Sequence, residues 1–289
     1  MFEIVTDSCS DLPEKIIRQF NIHVVSLSFF VDDTEYLCYE KDKNVDCTKY
    51  YDMMKEGKMI KTSLANEGRF RDTFEPILKG GKDVLYISVS SGISGTYAAG
   101  LSAAGELEKE YPDRKIIIVD SLSGSLGQGL LVYYAAFMKE RGKSIFEIEE
   151  WLENNKLKIL HEFTVDDLDY FKRGGRISSA TAVIGKFLSI KPLLRASNEG
   201  KICVHDKIRG RKASLDRLIK YVGDKAIDIK EQVIAISHAG CEEDAKYIEK
   251  EIKMLYKVKK IIVNDIDLVM GAHAGPGMIG VFFIGFNRA

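Results

Sequence analysis

Several side chains in this 289-residue sequence are of types that do chemistry, and their spacing limits which chemistry is open to them. Asp7 and Asp120 each follow a β-branched run and precede a serine, in Ile4-Val-Thr-Asp-Ser and Ile118-Val-Asp-Ser. Both therefore stand where a parallel strand would end and an open sheet keeps its ligand crevice. Paired carboxylates at strand ends can hold magnesium for phosphoryl transfer or hydrolysis. Neither aspartate has a second carboxylate two residues on, and His23, His161, His205 and His238 show no ligand spacing, so no metal site is expected. Cys9 could be a nucleophile only beside a base that the local sequence does not supply; a small buried thiol is the simpler reading. The hydroxyls of Ser90, Ser91, Ser94 and Thr96 lie in a Ser/Gly loop between an apolar run and an alanine-rich one. Such a loop aims N–H and O–H groups at an anion at a helix N-terminus. It contains no lysine, so it suits a carboxylate or one phosphate better than a nucleotide triphosphate. The same residues also suit an ordinary βα turn. His273 sits in Gly271-Ala-His-Ala-Gly-Pro-Gly277, a loop of the kind that faces a crevice.

The elements that must position these groups follow from hydrophobic periodicity. Phe2 to Thr6, Val24 to Val31, Val84 to Ser88 and Lys115 to Val119 read as strands, with helices at Glu14 to Phe20, Thr48 to Lys55, Ala65 to Leu78, Ala98 to Glu110, Leu130 to Lys139 and Ile145 to Asn154. Asp32 to Asp46 reads as a polar insertion, and Thr62 or Ser63 as a helix N-cap. Alternating strands and helices predict a doubly wound, mostly parallel α/β domain over residues 1–158. Beyond a basic, glycine-rich turn at Lys172-Arg-Gly-Gly-Arg176, the pattern predicts a helix from Ser178 to Leu188, paired strands at Pro192 to Arg195 and Lys201 to His205, and further helices at Lys212 to Val222 and Glu242 to Tyr256. With strands at Gln232 to Ser237, Lys260 to Asn264 and Ile279 to Phe286, residues 159–289 form a second α/β domain with a mixed sheet.

Composition narrows the function classes. A net charge of -1 from 42 basic and 43 acidic residues gives no reason to expect nucleic acid as a partner, and only the run Lys207-Ile-Arg-Gly-Arg-Lys212 points to a DNA-binding regulator. Five scattered cysteines without a C-x-x-C pair argue against a disulfide framework or a structural zinc site. With no run of 18 apolar residues and no basic segment before the first strand, a cytoplasmic protein is expected, whose membrane contact is at most transient.

Taken together, Thr6-Asp-Ser, Lys61-Thr-Ser63, Ser91-Gly-Ile-Ser-Gly-Thr96, Val119-Asp-Ser121, Arg173-Gly-Gly-Arg-Ile177, Ile190-Lys-Pro192 and His273-Ala-Gly-Pro-Gly277 give the chain, from end to end, a resemblance to the DegV family of bacterial fatty-acid-binding proteins. The resemblance implies two α/β domains that bury one long-chain fatty acid, such as palmitate, stearate or oleate, in the seam between them. It implies a carboxylate held by Thr62 and Ser63 and by Ser94, Gly95 and Thr96, to which His273 is added here as a third donor. It further implies no cofactor and no catalytic residue, but presentation of the acyl group to a separate fatty acid kinase subunit. Arg173, Arg176, Arg209 and Arg211 are the residues expected to meet that partner. Many relatives carry a proline before or a glutamine after the Thr-Ser pair, whereas here Lys61 and Leu64 flank it. The alternative from another class is a metal-dependent hydrolase or phosphotransferase using Asp7 or Asp120.

Overall fold

Neighbouring residues of the first apolar strands turn to opposite faces, as the period of two requires. Ile4, Leu85 and Ile87 pack into one core and Val5, Val84 and Tyr86 into another, so the sheet they form is covered on both sides. The computed structural model describes residues 1–41, 43, 45–177 and 189–288. Its first part runs β1 (Phe2–Asp7), α1 (Glu14–Gln19), β2 (His23–Val25), β3 (Ser28–Val31), β4 (Thr34–Leu37), α2 (Cys47–Lys55), β5 (Lys61–Ser63), α3 (Glu67–Lys79), β6 (Asp83–Ser88), α4 (Thr96–Glu110), β7 (Ile116–Asp120), α5 (Leu126–Glu140) and α6 (Ile145–Asn155). The second part runs β8 (Ile159–Thr164), α7 (Asp169–Arg173), β9 (Ile190–Ala196), β10 (Ile202–Arg209), α8 (Arg211–Lys225), β11 (Val233–His238), α9 (Glu242–Tyr256), β12 (Lys260–Asp265), α10 (Leu268–Ala274) and β13 (Ile279–Ile284).

Strands β2-β1-β6-β7 form a wholly parallel sheet, and β10-β9-β8-β13-β11-β12 a mixed one in which only β11 and β12 run parallel. The expected mixed α/β architecture is thus present. Helix α5 joins the two sheets. Its Leu126, Leu130, Leu131, Val132, Ala135 and Ala136 share one core with Ile4 and Leu85 of the parallel sheet and with Val233, Ala235, Ile262 and Phe282 from the mixed sheet. Gly127 permits this approach, because a Cβ there would lie 2.2 Å from His161 Nε2.

Several local expectations are corrected. The run Val24 to Val31 is two strands, broken at Ser26-Leu27, and part of the polar insertion after it is β4. Asp32 and Asp33, at φ 48° and 64°, make the two-residue turn that folds β4 back on β3. Thr62 and Ser63 cap no helix. They lie on β5, which pairs with β3, and Asn66 caps α3 by accepting from Arg69 N–H. Strand β8 lies where no strand was expected, and His273 stands in the last turn of α10 instead of in a loop. The helix expected over Ser178 to Leu188 falls outside the described residues.

The segment from β3 to β5 packs against the mixed sheet's side of the molecule. Phe29, Val31, Tyr51, Met54 and Ile60 share a core with Phe163, Val165, Phe171, Leu194, Ala239, Ile266 and Met278. The fully buried Tyr51 donates its hydroxyl to Ile266 O at 2.8 Å.

Candidate functional site

A cavity of about 310 Å³ lies in the seam between the two sheets. Its walls are mainly apolar, with Leu27, Val89, Phe163, Phe171, Met278 and Phe282 among them. Strand ends, the β6–α4 loop, β5 and α10 all contribute. Of the residues expected at the site, Thr62, Ser63, Ser94, Gly95 and His273 line it; Thr96 is fully buried behind Ser94. Burial is the main cause that pushes the His273 imidazole down to about 4, with Arg176 adding to it, so the ring is neutral at physiological pH. Its Nε2 lies 3.0 Å from Thr62 Oγ1.

The β6–α4 loop is fixed from several directions. Ser94 Oγ accepts from Thr96 N–H at 3.2 Å and stands 2.9 Å from Thr96 Oγ1, so it closes the first turn of α4 as well as facing the cavity. Ser90 donates to Gly200 O at 2.9 Å, and Gly92 packs so closely on the turn at Glu199 and Gly200 that a Cβ would lie 2.5 Å from Glu199 O. Arg176 was expected on the partner surface. It lines the cavity and donates from Nε to Ile93 O at 3.1 Å, bringing a cation to the polar end. Arg211 is likewise occupied, in an ion pair with Asp244 at 2.7 Å and a bond to Gly277 O at 2.7 Å. Arg173, stacked 4.5 Å from the Tyr170 ring, and Arg209 are exposed.

The carboxylates singled out for metal chemistry are committed elsewhere. Asp7 is fully buried and accepts from Cys9 N–H, Tyr86 hydroxyl, Val89 N–H and Gln128 Nε2 at 2.8 to 3.1 Å. Asp120 Oδ1 accepts from the N–H groups of Ser91 and Leu122. Among the described residues, no group of three or more His, Cys, Asp or Glu side chains is placed to hold a metal ion. Burial pushes the Cys9 thiol well up, which suits a core residue and not a nucleophile. In the basic run on β10 and α8, Lys212 pairs with Asp216 at 2.7 Å and Arg211 with Asp244 at 2.7 Å, so two of its four cations are already matched by carboxylates.

One residue at the seam gave no sign in the sequence. Arg288, 4% exposed, donates to the carbonyls of Leu122, Lys156, Ile159 and Ser197 and to Ser123 Oγ, and burial lowers its guanidinium to about 10. Four of its five partners are backbone oxygens, for which side-chain patterns carry no signal.

Fold and cavity define an α/β protein of one parallel, one mixed and one small three-stranded sheet, with a mainly apolar seam and a polar end. The family model described as "Uncharacterised protein, DegV family" matches residues 1–285, and the chain belongs to the DegV family. It is 45% identical over 287 residues to the DegV domain-containing protein CPE0026 of Clostridium perfringens, covering 99% of this chain and 98% of that one. Among solved structures, a fatty-acid-binding DegV family protein from Thermus thermophilus aligns with TM-score 0.88 at 28% identity, covering 99% of each chain. A stearic acid-binding protein from Eubacterium ventriosum aligns with TM-score 0.88 at 26% identity, over 99% of this chain and 98% of that one. Among the described residues no helix is long and apolar enough to cross a membrane.

Proposed function

We propose that this protein binds one long-chain fatty acid, with the tail in the seam between halves 1–158 and 159–289 and the carboxylate at the polar end. The observation that carries the reading is the pairing of Thr62 with a neutral His273 in the lining of a mainly apolar cavity. In the Nε2–H tautomer His273 donates to Thr62 Oγ1, which leaves the threonine hydroxyl hydrogen for the carboxylate. Ser63, Ser94 and the backbone of Gly95 supply further donors, Thr96 orients Ser94, and Arg176 supplies the counter-charge.

Magnitudes divide the labour. A dozen buried methylenes contribute about 10 kcal/mol, against roughly 1.5 to 3 kcal/mol for one hydrogen bond to the charged head. The tail supplies affinity and the head supplies register. The protein is a non-catalytic carrier, acting in the cytoplasm, that offers the acyl carboxylate to an ATP-dependent kinase subunit for acyl-phosphate formation, with exposed Arg173 and Arg209 on the docking face. Its ligands resemble those of its solved relatives, one of which binds stearic acid. Mass spectrometry of an organic extract of the purified protein tests this reading: an acyl carboxylate at one per chain is expected. Absence of any, with no uptake of added stearate or oleate, overturns it.

A further inference from the structure

Asp11 and Asp267 bring two carboxyl groups into the same seam, apart from the head-group donors. Asp11 Oδ1 accepts from the backbone N–H of Asp267 at 2.8 Å, its Oδ2 from the Ser125 hydroxyl at 2.5 Å, and its carbonyl from Asn264 Nδ2 at 2.8 Å. Ser125 also meets Ser237 Oγ at 2.8 Å. Asp267 caps α10, with Oδ1 accepting from Met270 N–H at 2.7 Å, while its Oδ2 is buried with no hydrogen-bond partner among the described residues. The two residues are only 5% and 9% exposed, and a cavity of about 160 Å³ opens beside them.

The surroundings leave this charge unbalanced. Asp7, Asp265, Cys9, Cys38, Cys47 and Tyr51 are the titratable groups that act on the pair or feel its charge, and all are neutral or negative. Met270 N–H favours the charge of Asp267, as do Ser8, Cys38 and the Val269 N–H beside it, but burial outweighs them. His238 Nδ1 lies 3.1 Å from Asp265 Oδ1 and serves that carboxylate. Glu14 and Lys43 stand at the edge of the small cavity, and Lys43 is paired with Glu40 at 2.9 Å. With no cation facing the pair and no cluster for a metal ion among the described residues, a proton is what remains to balance it.

We propose that Asp11 and Asp267 form an acid–carboxylate latch across the seam, in which one proton, carried on Asp267 Oδ2, keeps α10 seated and its loss loosens the cavity. The atom is chosen by geometry, since both oxygens of Asp11 and Oδ1 of Asp267 already accept hydrogen bonds. Burial pushes both carboxyls up, and for Asp11 the charge of Asp267 adds to it. The latch reaches the cavity by two routes. Helix α10 carries Val269, Met270 and His273 into its wall, and Ser125 lines it from the other side. Ser125 is held at φ 55°, ψ -152°, a backbone conformation that a non-glycine residue keeps only under constraint.

The sign of the response follows from linkage. The seated pair binds its proton more tightly than an opened pair, whose carboxyls return to the ordinary range near 4. Opening therefore becomes easier as pH rises above that range, by up to about tenfold per unit, until the seated pair ionises too. Hydrogen exchange of the α10 amides in ligand-free protein, corrected for the intrinsic rate, reads this between pH 5 and 8. Relative to Asp267→Asn, which keeps the cap and carries no titrating proton, the wild type is expected to open at least tenfold more at pH 8 than at pH 5. The link to acyl release rests on the fatty-acid reading, and its own arm is the stearate dissociation constant, whose ratio between wild type and variant shifts in the same direction. Parallel exchange profiles for the two proteins overturn the latch whether or not stearate binds; failure of stearate to bind at any pH overturns only the acyl reading. Should Asp267→Asn not fold, Asp267→Ser, which keeps a capping oxygen and carries no carboxyl, gives the same comparison with the same deciding outcomes.

Discussion

Thr62 Oγ1 and His273 Nε2 lie 3.0 Å apart although 211 residues separate them in sequence. One comes from a three-residue strand, the other from the last turn of a seven-residue helix, so their meeting reports the closed seam as a whole. Thr62→Val keeps the shape and removes the hydroxyl. Stearate affinity is expected to fall about 10- to 150-fold, the equivalent of one hydrogen bond to a charged group, as measured by titration calorimetry. Affinity within twofold of wild type would show that Thr62 does not reach the carboxylate.

Ser94 has two roles, and its removal should show both. Because its hydroxyl also closes the first turn of α4 on Thr96, Ser94→Ala is expected to lose about 1 kcal/mol of stability as well as acyl affinity. Urea unfolding without ligand separates the two effects; unchanged stability would remove the capping role.

The pH dependence of His273 has a definite sign. Its folded pKa of about 4 lies below the usual 6.5, so between those values the unfolded chain takes up a proton that the folded one refuses. Wild type should therefore lose stability relative to His273→Gln as pH falls from 6.5 to 4 and show no further change above 6.5. Asp7, raised to about 6 by burial, works the opposite way over nearly the same interval, which is why the comparison must be made against the variant. A constant difference across this range contradicts the assignment.

Asp7→Ala should destabilise the fold by about 3 kcal/mol or more, since it strands the buried Tyr86 hydroxyl, Val89 N–H and Gln128 amide together. Thermal unfolding measures it. A stable Asp7→Ala protein that had lost a magnesium-dependent phosphatase activity would return the hydrolase reading to favour.

For the partner face, Arg209→Glu is expected to leave stearate binding unchanged and to slow association with the kinase subunit, more at low salt than at high. Arg176→Gln should do the reverse, lowering acyl affinity first, because Arg176 lines the cavity. Stopped-flow association and calorimetry on both variants decide between the two placements.

The parallel sheet was readable because β6 and β7 carry continuous apolar runs and β1 a shorter one at Ile4-Val5, each closed by a polar turn. Where polar residues enter a strand, the signal fails. Strand β8 is wholly buried, yet it carries His161, packed on Gly127, and Glu162, paired with Lys225 and with His205 at 3.0 Å. Only distant partners make those side chains tolerable inside. The β3–β4 turn lacks glycine, its left-handed positions being filled by two aspartates, and so read as an insertion. Helix α10 was hidden by the glycines and proline around it; Gly271 is small because a Cβ there would lie 2.1 Å from the Tyr51 hydroxyl oxygen. The Ser94 and Thr62 motifs were visible as hydroxyl clusters, but which element carries Thr62 depended on a strand pairing of three residues.

The exchange of the β3–β5 segment into the core around Phe163 and Met278 has a consequence for how the molecule comes off the ribosome. When the first 158 residues have emerged, Phe29, Tyr51 and Met54 lack the surface they will pack on, which is encoded between residues 163 and 278. The nascent chain therefore carries an uncovered aromatic patch until nearly all of the sequence is made, a natural point for chaperone engagement. For the same reason, separate genes for the two halves would each yield an incomplete core, and soluble product would require both to be made together.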